Sequence, residues 1–273
     1  MLSQPAGLNS KLGSFQRYHL FKCFAFFRKK RRRSKTMVEI ISEAFPRIKF
    51  KTNRVASSDV DDTSTSPLVR EELQALGELT KYLEDIGIIP ILDDGLVAGN
   101  CSMVFEGESG DLVLYVSPSG KPKGCLLRPD DFVRVSSFNR EDWSVSFSSR
   151  SEGEKPTSDT PLHYSALIDW DKHGFKDRPC VAIHAHALAT GYGLEAAKHA
   201  GIPISDKETL FSTREDLDAL EKLFREHPSA SCYIRKGHGF ILLAKDIRHA
   251  THYFNTVLEP LIVASRNVCP RAR

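Results

Sequence analysis

No apolar run in this chain approaches the roughly 20 residues that a helix needs to cross a bilayer, so no transmembrane segment is predicted. Cysteine is sparse and scattered. The six thiols, Cys23, Cys101, Cys125, Cys180, Cys232 and Cys269, form no Cys-x-x-Cys pair, which argues against a zinc ribbon or a disulfide framework. They point instead to buried thiols in a reducing compartment, and so to a cytoplasmic location. No internal repeat or heptad appears. Acid is missing altogether from residues 1–38, which hold ten Lys or Arg.

That asymmetry makes the net charge of +3 misleading. Removing the ten from 38 basic residues leaves 28 against 35 acidic, or −7 for the remainder. An acidic body lacks the basic footprint of a nucleic-acid surface. The arm carries the unbroken basic run Arg28–Arg33 after Phe21, Phe24, Phe26 and Phe27. It fits a secretory signal poorly, because Lys22 interrupts a short apolar stretch and most of the charge follows it. Its other readings are an organelle transit peptide, a nuclear localisation patch, or a leader that is absent if translation starts at Met37. Residues 51–65, rich in Ser, Thr and Asp, read as a loose linker. The division is therefore an arm and linker over 1–65 and a folded domain over 66–273.

The domain opens with Ser66-Pro67, an N-cap and N1 pair. Val69, Leu73, Leu76, Leu79, Leu83 and Ile86 then recur on one helical face up to a stop at Gly87. Strands are predicted at Leu112 to Val116, Phe132 to Val135 and Trp143 to Phe147. Helices follow at His163 to Trp170 and Ala187 to Ala200, and Ser212-Thr213-Arg214-Glu215 reads as a capping box for a helix that ends before Pro228. Strands at Ser231 to Ile234 and Phe240 to Leu243 precede a closing helix from Asp246 through Val263. The mixture is an α+β layer structure.

The chemistry concentrates in His184-Ala185-His186 and in His238 of Lys236-Gly237-His238-Gly239-Phe240. Residues i and i+2 of an extended segment point to one side, so two imidazoles can grip one ion while a third arrives from a neighbouring strand. Three histidines leave one position open on a divalent metal, which is the pattern of a catalytic site. A chance pairing among ten histidines is the competing explanation. His173, His199, His227, His249 and His252 read as ordinary surface groups.

Upstream, in order, lie Gly99-Asn100-Cys101-Ser102, Ser117-Pro118-Ser119-Gly120 and Pro156-Thr157-Ser158-Asp159. Together with the histidines these segments resemble the class II aldolase/adducin family, with its Gly-Asn-x-Ser turn, Pro-Ser/Thr-Gly turn, Pro-Ser-Ser-Glu/Asp segment, His-x-His pair and late His-Gly. The likeness spans about Ser66 to Pro260. The string Ser158-Asp159-Thr160-Pro161 is closer to the ribulose-phosphate 4-epimerase branch.

The resemblance implies a three-layer α/β/α fold with a mainly antiparallel central sheet, assembled as a homotetramer with sites between subunits. It implies a divalent metal, Zn²⁺ first among the candidates, on His184, His186 and His238. It places a substrate phosphate at Asn100, Ser119, Gly120, Thr157 and Ser158, and makes Asp159 the catalytic acid/base. Asp159 also reads as an Asx-turn or helix cap, and His163 as either a core histidine or a group orienting its neighbours. The implied activity is that of a lyase in carbohydrate metabolism. It would cleave or form a C–C bond in a small, phosphorylated hydroxy-carbonyl sugar through a metal-stabilised enediolate. The alternatives are an epimerase, decarboxylase or dehydratase with the same site, and an adducin-like interaction module without catalysis. The family's additional tyrosine or aspartate for proton transfer has no clear counterpart; Tyr192, Asp206, Glu208 and Tyr253 are the available groups.

Overall fold

A strand buried on both faces shows apolar residues throughout, and a polar side chain in such a run marks a site rather than a surface. Strand β6, Val181–Ala185, is buried at every residue and carries His184. The computed structural model describes residues 47–56, 66–92, 94–107 and 110–268. The basic arm and its Arg28–Arg33 run lie outside the described residues.

Among the described residues, eight strands form one sheet in the order β1-β5-β4-β3-β2-β6-β8-β7. These are β1 (Lys51–Arg54), β2 (Gly99–Glu106), β3 (Leu112–Val116), β4 (Val133–Asn139), β5 (Ser144–Ser148), β6, β7 (Cys232–Arg235) and β8 (Gly239–Ala244). The pairings are antiparallel apart from β1 on β5, which is parallel. Helices α1 (Pro67–Asp85), α3 (Gly191–His199), α5 (Ile247–Tyr253) and α6 (Glu259–Val268) follow in chain order with α2 (Thr160–Leu167) and α4 (Arg214–Glu226). A π-helical turn, Phe254–Leu258, joins α5 to α6.

Two apolar cores explain the layers. On one face α1, through Leu73, Leu76 and Leu83, packs with Phe254 and Leu258 over Cys101, Ile183 and Leu242 of the sheet. On the other, Leu162 of α2 and Leu217, Leu220 and Phe224 of α4 cover Val116, Ala182 and Ile241. Helices cover both faces of a mainly antiparallel sheet, which is the expected α/β/α arrangement. No helix among the described residues is long and apolar enough to cross a membrane.

Four local expectations need correction. The sheet begins within the stretch read as linker: β1 pairs Lys51–Arg54 with Ser144–Phe147, a contribution that helix-cap signals at Ser66 do not reveal. Gly99-Asn100-Cys101-Ser102 is the start of β2, not a turn. The cap of α4 is Thr213, whose side chain accepts from the Asp216 amide, so the motif is shifted one residue from Ser212. His173 is buried rather than superficial, held against Ser165 and Phe224.

Helix α1 approaches the 3₁₀ turn Pro129–Asp131 so closely that a Cβ on Gly77 would lie 2.1 Å from the Leu127 carbonyl oxygen. Replacing a helical glycine with alanine normally gains about 1 kcal/mol, whereas overpacking against fixed backbone costs about 1–3 kcal/mol. The clash wins. Gly77→Ala should lower the urea midpoint; a variant more stable than the parent would mean that α1 has room to move.

Candidate metal centre and substrate cavity

Alternation along the strands decides which polar groups meet. Val181, Ile183 and Ala185 face the α1 side of the sheet, so His184 faces the α2/α4 side with Ala182. Asn100 is the cross-strand partner of His184 and shares its face with Ser102. On β7, Cys232 and Ile234 face α1, which puts Arg235 with Tyr233 on the same side as the histidine. One end of this face is therefore polar, and the N-terminus of α2 delivers Asp159 to it.

His184, His186 and His238 converge, with one ligand nitrogen of each lying within 4.8 Å of the others. The ring centroids are 4.5–4.9 Å apart. His184 Nδ1 lies 2.8 Å from the Phe240 carbonyl oxygen, which makes Nδ1 the donor and leaves a lone pair on Nε2. That Nε2 is 3.1 Å from His238 Nε2. Nitrogens around a tetrahedral zinc ion stand about 3.3 Å apart, so this pair fits a shared first-row ion. Burial lowers the pKa of all three rings, His184 well below the usual value and His238, also beside the Arg235 charge, to about 3. Neutral imidazole is the form that ligates metal.

Gly239 makes the approach possible. A Cβ there would stand 2.3 Å from the Ala185 carbonyl oxygen and 2.9 Å from His184 Cε1. The late His-Gly pair thus combines a ring with the residue that lets β8 close on β6.

Asp159 occupies the cap position of α2 without making a side-chain cap bond. Its Oδ2 accepts from Asn100 Nδ2 at 3.0 Å and from an Arg235 nitrogen at 3.1 Å, and lies 3.7 Å from His184 Nε2. Burial alone would raise this carboxyl, but the Arg235 guanidinium and the Asn100 bond outweigh it and hold it well below the usual carboxylate range. Arg235 also grips Asp216, so one guanidinium, 3% exposed, bridges two buried carboxylates.

The hydrogen bonds continue away from the cavity. His163 Nε2 donates to Asn100 Oδ1 at 2.5 Å, and Ser102 Oγ donates to His163 Nδ1 at 2.6 Å. Asn100 must offer its oxygen to the ring because its nitrogen serves Asp159, which fixes the amide and the neutral tautomer. His163 is a buried orienting group.

A cavity of about 280 Å³ is lined by the three histidines and Asp159. Asn100, Ser119, Gly120, Thr157 and Ser158 line it too, so every site residue expected from sequence meets here. Asp159 is its only carboxylate among the described residues. Tyr192, Asp206, Glu208 and Tyr253 are not part of its wall; Tyr192 is 57% exposed and Asp206 is paired with Lys222. Arg235, Asp216, Arg47 and Phe211 escaped the sequence reading. Arg235 ends the continuous apolar run Cys232-Tyr233-Ile234, which marks a buried strand but not the partners of its last residue.

The helix-covered, mainly antiparallel sheet is the fold that the chain shares with solved class II aldolase-like structures. Residues 93–260, well over half of the chain, match the Class II Aldolase and Adducin N-terminal domain, and the chain belongs to that family. Similar solved structures include a sugar-phosphate aldolase from Thermotoga maritima, 14% identical, TM-score 0.53, covering 76% of this chain and 98% of that one. An aldolase II superfamily protein from Pseudomonas syringae is 15% identical, TM-score 0.53, covering 76% and 83%. An L-fuculose 1-phosphate aldolase is 17% identical, TM-score 0.48, covering 76% and 90%. No curated protein matches the sequence.

The neutrality of His163 gives a stability test. Burial lowers its pKa from 6.5 to about 4, so the unfolded chain binds the extra proton first and stability falls as pH drops from about 6.5 to about 4. The full effect is about 3 kcal/mol. Chemical denaturation at pH 7 and pH 4.5 should show a smaller loss for His163→Gln than for the parent; equal losses would contradict the assignment.

Proposed function

We propose that this chain is a divalent-metal-dependent lyase. It makes or breaks a carbon–carbon bond beside a carbonyl in a small, phosphorylated hydroxy-carbonyl compound of the sugar class. The observation that carries this reading is the meeting of three neutral imidazoles and one ionised carboxylate at the wall of a single cavity. In this reading His184, His186 and His238 hold the metal, zinc in our assignment. When bound, the ion supplies a Lewis acid for the substrate's carbonyl oxygen.

The chain's own groups do the rest. The hydroxyls of Ser119, Thr157 and Ser158, the amides around Gly120 and the Asn100 side chain orient the phosphate. Small donors in tight turns suit an anion because several N–H and O–H groups can converge on it. Asp159 moves the proton. Its Oδ2 is occupied by Asn100 and Arg235, whereas among the described residues Oδ1 has only a 3.5 Å approach from Arg235, so Oδ1 takes the proton in our assignment. The ionised form is the one that accepts a proton, and its low basicity makes proton removal the demanding half of the transfer and proton return the easy half. We further assign a homotetramer and, from cysteine usage, a cytoplasmic location.

An interaction module without catalysis has no use for three convergent histidines, which favours the enzyme. The Ser158-Asp159-Thr160-Pro161 string keeps one alternative, an epimerase using the same site. Incubating the metal-loaded protein with sugar phosphates separates the two: cleavage yields carbonyl fragments, and epimerisation yields an inverted stereocentre with the carbon chain intact.

Two substitutions test the roles. His184→Ala should abolish stoichiometric metal by elemental analysis and leave the far-UV spectrum of the parent. Asp159→Asn should keep the metal and lose turnover by roughly 10²–10⁴-fold. An Asp159→Asn enzyme as fast as the parent would move the proton to another group, and a parent that binds no divalent metal would end the enzyme reading.

A further inference from the structure

We propose that Arg47, presented by the segment that leads into β1, is the charge partner of the substrate's phosphate and so determines selectivity for an anionic substrate. This inference rests on the reading of the cavity as a sugar-phosphate site. Arg47 lies well before the family match, which begins at residue 93, yet it lines the same cavity as Ser119, Gly120, Thr157 and Ser158.

The neutral donors at the phosphate end are already partly committed. The Ser119 amide donates to the Lys155 carbonyl at 2.8 Å, and the Thr157 amide donates to the Ser117 carbonyl at 3.0 Å. Asn100 Nδ2 spends one hydrogen on Asp159. What is left are hydroxyls and a few amides, none of which carries charge, and a phosphate monoester brings close to two negative charges. These donors orient the anion, and a cation beside them adds the charge that they lack.

Lys121 also lines the cavity, but its ammonium is buried 2.5 Å from Glu84 Oε2, and the other Glu84 oxygen holds the Gly124 amide. Arg47 differs. One of its nitrogens reaches Asp94 at 2.6 Å, with the two side chains 29% and 31% exposed. An ion pair that open to water is worth about 0–1 kcal/mol. A guanidinium carries five N–H donors in a planar fork suited to phosphate. Exchanging Asp94 for a phosphate dianion is therefore cheap, and Asp94 acts as a placeholder.

The position of Arg47 is built in. The Lys51 amide donates to the Trp143 carbonyl at 2.9 Å, and β1 continues in register on β5. Phe50 is buried in the core under α2 and α4. The Lys49 ammonium sits 3.2 Å from the centre of the Phe211 ring, itself part of the cavity wall. Sheet pairing, an apolar anchor and a cation–π contact together hold this segment at the cavity.

The test uses the full-length, zinc-loaded protein and titrates glycerol 3-phosphate, with glycerol as the uncharged control, by calorimetry. Arg47→Ala should weaken glycerol 3-phosphate binding roughly tenfold or more, with unchanged zinc content. Arg47→Lys should recover part of the loss, because a point charge remains. Asp94→Asn should tighten binding in the parent and have no effect in the Arg47→Ala background, a coupling that a merely structural role would not produce. Equal affinity of parent and Arg47→Ala would overturn the role of Arg47 and leave the sugar-phosphate reading standing. A parent that binds glycerol 3-phosphate no better than glycerol would overturn both.

Discussion

The site depends on a carboxylate kept ionised where water is excluded. Asp159 is 3% exposed, and burial by itself would neutralise it. Arg235 prevents this, and because Arg235 is equally buried it needs Asp216 as a second counter-charge. Breaking one partner of such an arrangement strands a charge, at about 3–5 kcal/mol. The network is therefore a poor source of stability and a strong source of orientation. It fixes Asp159 beside the imidazoles, and Asn100, His163 and Ser102 extend the same constraint into the sheet.

The fold supplies the matching constraint. Antiparallel pairing of β2, β6 and β8, with β7 beyond, aligns Asn100 with His184 and Arg235 with Gly239. Period-2 alternation then sends Asn100, His184 and Arg235 to one face while Cys101, Ile183 and Ile234 fill the opposite core. A one-residue slip would reverse every one of these side chains. The apolar cores under α1 and under α2 and α4 therefore fix the register that the polar cluster requires.

Much of this was legible in the residues themselves. The His-x-His spacing predicts one shared side, and the apolar steps of α1 predict its buried face. The long-range pairings were not, because nothing local in Lys51–Arg54 marks a strand that pairs parallel with β5. Arg235 is hard to read for a related reason: a basic residue near a glycine loop reads as surface until Asp159 and Asp216, carried by other elements, are brought to it. His173 is illegible in the same way, since its burial depends on Ser165 and Phe224 from separate helices. That Arg47 lines the cavity is likewise not legible from its position before the domain's first clear helix.

The proposed chemistry requires His184, His186 and His238 to share one ion that retains an open position. X-ray absorption on the zinc-loaded full-length protein tests this most directly. The expected spectrum shows three imidazole nitrogens at about 2.0–2.1 Å, with multiple-scattering features of three rings and the remaining coordination from light oxygen atoms. A first shell containing sulfur at about 2.3 Å, or one with a single imidazole, would contradict the central claim.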